Sequence, residues 1–127
     1  MQIVQTGSRR LLATAFAKGK MHDFALFKSS RLPLQENTCC TGDSGYKGMD
    51  KHHRNSYVPH RKSKHHPLSR QAKQANRQLA HERIVAEHVI RWLKRFRVLA
   101  GPYRNRRKRF GLRFNLIAAL YNAHLHL

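Results

Sequence analysis

One amphipathic stripe constrains this chain more than any other feature. Val85, Val89, Trp92, Phe96 and Leu99 recur at steps of three and four residues, and Leu93 widens the row. Residues so spaced share one face of an α-helix. The pattern predicts a helix from Ser69 to Leu99, with Ser69 as N-cap and Gly101-Pro102 as the stop. Burying each stripe residue is worth roughly 1.5–3 kcal/mol, so the helix has to pack on something. Phe110, Phe114, Ile117 and Tyr121, with Leu116 and Leu120 beside them, predict a final helix. Together with six Phe and the single Trp, these periodicities exclude disorder for the C-terminal half.

Upstream the signals are shorter. Arg10 to Ala17 is an apolar run suited to a largely buried strand. Its basic lead-in resembles an export signal only superficially. Asp23 to Ser29 reads as one or two helical turns, with Phe24 and Phe27 on one face. Asn37 to Gly42 is a second strand candidate, and Asp43 stands at its carboxyl end, where open α/β sheets gather ligands. Tyr57-Val58-Pro59 suits only an edge strand, since Pro cannot donate to a ladder. Lys47 to Arg77 has the composition of a segment loosely structured on its own. No internal repeat is present, and 127 residues suffice for one domain with one core.

Charge sets the partner. Twenty-six Lys and Arg face six Asp and Glu, a formal net charge of +20. Such an excess attracts nucleic acid through phosphate neutralisation and counterion release. The run from Arg104 to Arg109 carries five cations and is the clearest polyanion site, because Arg meets phosphate bidentately. Arg61, Lys62, Lys64, Arg91, Lys94, Arg95, Arg104, Arg106, Arg107, Lys108 and Arg109 are the expected DNA contacts. The adjacent Cys39-Cys40 cannot easily close on each other, and no disulfide framework exists. A reducing, cytoplasmic setting follows. No apolar stretch approaches membrane-span length, so no membrane partner is expected.

Two acids carry candidate chemistry. Each retained carboxylate lowers a field built to hold polyanions, and divalent-cation binding beside a phosphate is one reason to keep it. Asp43 is either a turn residue of the Asp-Ser-Gly triplet or a ligand of a hard cation. Glu87 lies opposite the apolar stripe. It is either half of a surface pair with Arg91, worth about 0.3–0.5 kcal/mol, or a second ligand. Two such ions about 3.5–4 Å apart can activate water and stabilise a leaving oxygen in phosphodiester chemistry. The histidines, including His52-His53 and His65-His66, lack the spaced Cys/His quartet of a structural zinc site.

Four segments, in order, resemble DDE transposases of bacterial insertion sequences. Gly19 to Phe24 is similar to the family's "G-x-x-HDF" segment, and Thr41 to Gly48 to its "AD-x-GY-x-G" segment. His81 to Phe96 resembles the "R-x-x-VE-x-x-x-x-x-LK-x-F" helix, and Tyr103 to Ala118 the C-terminal end. The resemblance implies an α/β, RNase H-like fold and an Asp-Asp-Glu triad binding two divalent ions, Mg²⁺ or Mn²⁺, to cut and join DNA. Asp43 would be the second Asp and Glu87 the Glu, each catalytic and a metal ligand. The family's first Asp belongs in an upstream "D-x-T" strand, yet no acid precedes Asp23.

The chain is therefore expected to be the C-terminal portion of a DDE catalytic domain. Its fold would be a partial RNase H-like one, a small sheet followed by two C-terminal helices, lacking the N-terminal strand with the first Asp and so leaving a sheet edge exposed. Residues 1–50 would hold the strands and the second-Asp loop, 51–68 a basic insert, and 69–127 the Glu-bearing helix, basic run and last helix. Metal binding would be weak or absent, and the fragment inactive alone unless a homo-oligomer or a full-length transposase complements it. The alternative is a non-enzymatic basic nucleic-acid-binding module.

Overall fold

The computed structural model describes residues 1–17, 19–103 and 107–127, with only the backbone of residue 107. The chain is mixed α/β: β1 (Gln2–Val4), β2 (Leu11–Thr14), α1 (Asp23–Ser30), β3 (Cys40–Thr41), β4 (Ser56–Tyr57), α2 (Arg70–Leu93), α3 (Arg97–Ala100) and α4 (Phe110–His124). These fall into two compact units. A terminal unit comprises Met1–Phe16 with Ile84–Leu127, and a central unit comprises Ala17–Arg83.

In the terminal unit, β1 and β2 pair antiparallel, Gln2 opposite Thr14 and Val4 opposite Leu11. The register slips between Ile3 and Val4, so Leu12 has no opposite residue and is 61% exposed. The expected strand over Arg10 to Ala17 is thus shorter, and Leu11 alone in it is fully buried. Its backbone is held by Asn122, which accepts from the Leu11 N–H at 2.8 Å and donates to the Leu11 carbonyl at 2.9 Å. The core joins Leu11 to Val89, Leu93, Phe114, Ile117, Ala118 and Tyr121, with Trp92, Phe96 and Leu99 packed against it. Trp92 therefore belongs to the core, stacked among Phe96, Tyr121 and His124.

The long helix begins as its sequence predicts. Ser69 Oγ accepts from the Ala72 N–H at 3.1 Å. It stops earlier than expected, at Leu93 rather than Leu99. The Arg95 and Phe96 amides bond three residues back, to Trp92 and Leu93, tightening the last turn. Phe96 is extended (φ −81°, ψ 115°), and the helix resumes for one turn as α3. Neither Gly nor Pro marks this break. The Phe96 ring meets Trp92 at 5.5 Å, a packing of side chains that periodicity alone does not specify.

The central unit packs α1 against the turns after β3. Phe24 and Phe27 stack at 6.4 Å on one face, as their spacing predicts, and both meet the Tyr46 ring edge-on. Leu26, Phe27 and Met49 are its buried apolar residues. His53 is buried too, its Nε2 paired with the Thr38 carbonyl, which fixes it as a structural histidine. β3 and β4 run parallel, Cys40 beside Ser56 and Thr41 beside Tyr57. Among the described residues the expected small sheet is divided into two sheets of two strands.

Candidate functional site

Asp43 lies two residues beyond the carboxyl end of β3, on extended backbone (φ −83°, ψ 178°). Its Oδ1 accepts from the Gly45 N–H at 2.7 Å, and its carbonyl accepts from the Tyr46 N–H at 3.0 Å. Asp43 thus caps the one-turn 3₁₀ helix Ser44–Tyr46, as the turn reading expects. Capping engages one carboxylate oxygen and leaves the side chain exposed.

A side chain at position 45 would press on its neighbours. A Cβ there would sit 2.9 Å from Asp43 Oδ1 and 3.3 Å from His22 Cε1. Its absence lets the His22 ring stand beside the carboxylate. His22 is itself fixed, because its Nδ1 accepts from the Phe24 N–H at 3.2 Å and caps α1. An open pocket is lined by His22, Asp23, Asp43, Gly45, Tyr46 and Arg61, among others. Burial first, then the negative charges of Asp23 and Asp43, push the Tyr46 phenol up to about 12. Tyr46 therefore stays protonated at neutral pH and can donate. The sequence reading missed His22, Asp23 and Tyr46 as neighbours of Asp43.

Glu87 belongs to the terminal unit. It is exposed on α2, while Val89 and Leu93 of the same helix are each 2% exposed. Its place opposite the apolar stripe follows the spacing. Among the described residues it forms no ion pair with Arg91, so the bland reading of a surface pair lacks its contact. Asp43 and Glu87 fall in different units, and each is described within its own.

Carboxylate oxygens suit a hard divalent cation. Among the described residues no group of three or more His, Cys, Asp or Glu is placed to hold a metal ion.

The expected DNA contacts are spread over both units. Arg61, Lys62 and Lys64 lie on an exposed tract of the central unit, with Arg61 also lining the Asp43 pocket. Arg91, Lys94 and Arg95 are exposed at the end of α2 and just beyond it. Lys108 and Arg109 are exposed before α4. Arg104 and Arg106, and the side chain of Arg107, lie outside the described residues. A further basic face escaped the sequence reading: Arg70, Lys73, Gln74 and Arg77 line a shallow groove on the first turns of α2. Their spacing of three, four and seven was the available signal. Among the described residues no helix is long and apolar enough to cross a membrane.

Known proteins resemble this sequence. The family model described as DDE superfamily endonuclease matches residues 1–122. A probable transposase for insertion sequence element IS702, from Microchaete diplosiphon, is 42% identical over 125 residues, 98% of this chain and 45% of that relative. The chain thus spans a little under half the relative's length. No solved structure matches it significantly.

Proposed function

The chain belongs to the DDE superfamily endonuclease family, and on that premise we propose that it is the C-terminal portion of a DDE transposase catalytic domain, acting on DNA. Asp43 and Glu87 serve as two of its metal-binding carboxylates. The observation that carries this reading is Asp43 itself: an exposed carboxylate just past the end of β3, with one oxygen outside its capping bond. Glu87, exposed on α2 and in no ion pair among the described residues, is consistent with the same role. A bound Mg²⁺ or Mn²⁺ would activate water and stabilise the leaving oxygen of a phosphodiester. The chain's own contribution is to hold these oxygens on rigid backbone and to grip phosphate with its cations.

Two carboxylates are too few for a two-metal site, so this reading requires a third acid beside Asp43 and Glu87 and expects residues 1–127 to be inactive without it. The RNase H-like fold is what membership of this family implies for the chain's small sheets and C-terminal helices. Leu112, Leu116 and Leu120, each more than half exposed on α4, supply an apolar face suited to a second copy or to a longer transposase of the family.

The test is divalent-dependent nicking of supercoiled DNA. No nicking is expected from the chain alone. Nicking is expected once a family N-terminal part bearing the first Asp is joined to it, and should vanish again in Asp43→Ala or Glu87→Gln. In parallel, Mn²⁺ binding followed by the free-ion EPR signal should be weak and abolished by Asp43→Ala. Nicking by the chain alone would overturn the claim of inactivity.

A further inference from the structure

Residues 51–81 contain eight Lys and Arg and not one Asp or Glu. Within this stretch, α2 opens with no acidic residue in its first turn. Arg70 and Lys73 instead stand near the positive end of the helix dipole, where cations are disfavoured. A chain that breaks this local rule without a compensating acid keeps the cations for an external anion. Arg70, Lys73 and Arg77 share one exposed face and line one groove with Gln74. Seven residues of helix rise about 10 Å, close to three steps along a DNA strand.

A second cationic element is tied to the same helix. Asn76 Oδ1 accepts from the His60 N–H at 2.8 Å, and Asn76 Nδ2 donates to the His60 carbonyl at 3.0 Å. This two-way bond pins the backbone where the tract Arg61, Lys62, Lys64 begins. The tract is braced further on, where the Ser63 amide bonds the His66 carbonyl at 3.3 Å and the His66 amide bonds Ser63 Oγ at 3.2 Å. The cations are thus presented on fixed backbone, which lowers the ordering cost of meeting a ligand.

We infer that Arg70, Lys73 and Arg77, together with the Asn76-anchored tract Arg61–Lys64, form one phosphate-gripping surface for duplex DNA, with Asn76 as its positioning residue. This rests on the reading that DNA is the partner. The surface grips backbone phosphates and carries no base specificity.

Binding of the full chain to a fluorescein-labelled 25-bp duplex, measured by anisotropy from 50 to 200 mM KCl, tests it. Each phosphate that is no longer neutralised lowers the slope of log K against log salt by about 0.9. The R70A/K73A/R77A variant should show a slope smaller by about two to three and bind at least tenfold less tightly at 100 mM KCl. Lys47, Lys51 and Arg54 are exposed in the same unit. Replacing them with Ala removes equal charge and should change affinity less than threefold. Asn76→Ala removes no charge, yet should weaken binding severalfold and reduce the slope, with helicity by circular dichroism unchanged. Equal weakening in the two triple variants, or none in the first, overturns the surface. An unaltered Asn76→Ala variant overturns the positioning role. Failure of the unmodified chain to bind duplex at 50 mM KCl overturns the DNA reading itself, and this surface with it.

Discussion

Two asparagines perform the same task in different units. Asn122 and Asn76 each present a side-chain amide to one backbone position, accepting from its N–H and donating to its carbonyl. Each thereby satisfies both backbone polar groups of one residue. Neither role is legible in the sequence, because Asn in a helix signals only a mild propensity cost. Asp43 is the opposite case. Its turn chemistry was legible from Asp-Ser-Gly, whereas the packing of His22 and Tyr46 beside it was not, since it depends on α1 folding back onto that turn. Tyr46 supplies a pH test of this neighbourhood. Its pKa is raised from 10.0 to about 12 by burial and by Asp23 and Asp43. A raised pKa means the folded state holds the phenolic proton more tightly. The stabilisation is therefore complete below pH 10 and is lost as pH climbs from about 10 toward 12. In 295-nm absorbance, the difference between the unmodified chain and Tyr46→Phe should show one tyrosine titrating near 12 when folded and near 10 in denaturant. A folded midpoint near 10 would mean that the phenol is neither buried nor faced by the two carboxylates.

Among the elements, α4 departs furthest from the amphipathic ideal. Phe114, Ile117, Ala118 and Tyr121 are buried, yet Leu112, Leu116 and Leu120 on the other side are 72%, 61% and 52% exposed. The stripe Phe110, Phe114, Ile117 and Tyr121 read from the sequence is the face that meets the core, while Leu116 and Leu120 beside it stay exposed although they are equally apolar. α2 is the contrasting case, since its charged face leaves one orientation. Even there, the row from Val85 to Leu99 obscured the break after Leu93, because Phe96 keeps its packing on Trp92 while leaving the helix. The two faces of α4 predict different mutational costs. Ile117→Ala should destabilise the terminal unit by about 2–5 kcal/mol, the range for emptying a packed site. Leu116→Ala should change stability by no more than about 0.5 kcal/mol, as exposed positions do. Urea unfolding followed by circular dichroism separates the cases. Equal costs at the two positions would mean that both faces are covered.

At the scale of the whole chain, stability is unevenly divided. The terminal unit buries Leu11, Val89, Leu93, Phe114, Ile117, Ala118 and Tyr121 in one cluster. The central unit buries Leu26, Phe27, Met49 and the hydrogen-bonded His53. Length alone suggested one core, and the sequence concealed the division because α2 runs without interruption from Arg70 to Leu93, across the boundary at Ile84. Apolar burial dominates the free energy that resists opening. Two clusters of unequal size should therefore open at different free energies. Hydrogen exchange read by mass spectrometry should give the slowest amides in peptides covering residues 87–93 and 114–121. Exchange should be faster in α1 and in the β3–β4 segments, whose ladder is two residues long. The basic surface of residues 60–77 belongs to the less protected unit, and binding that favours the folded form stabilises it by mass action. Adding duplex DNA should therefore slow exchange in residues 60–77 more than in α4. Uniform protection across both units, before and after DNA, would show that the chain opens as one cooperative body.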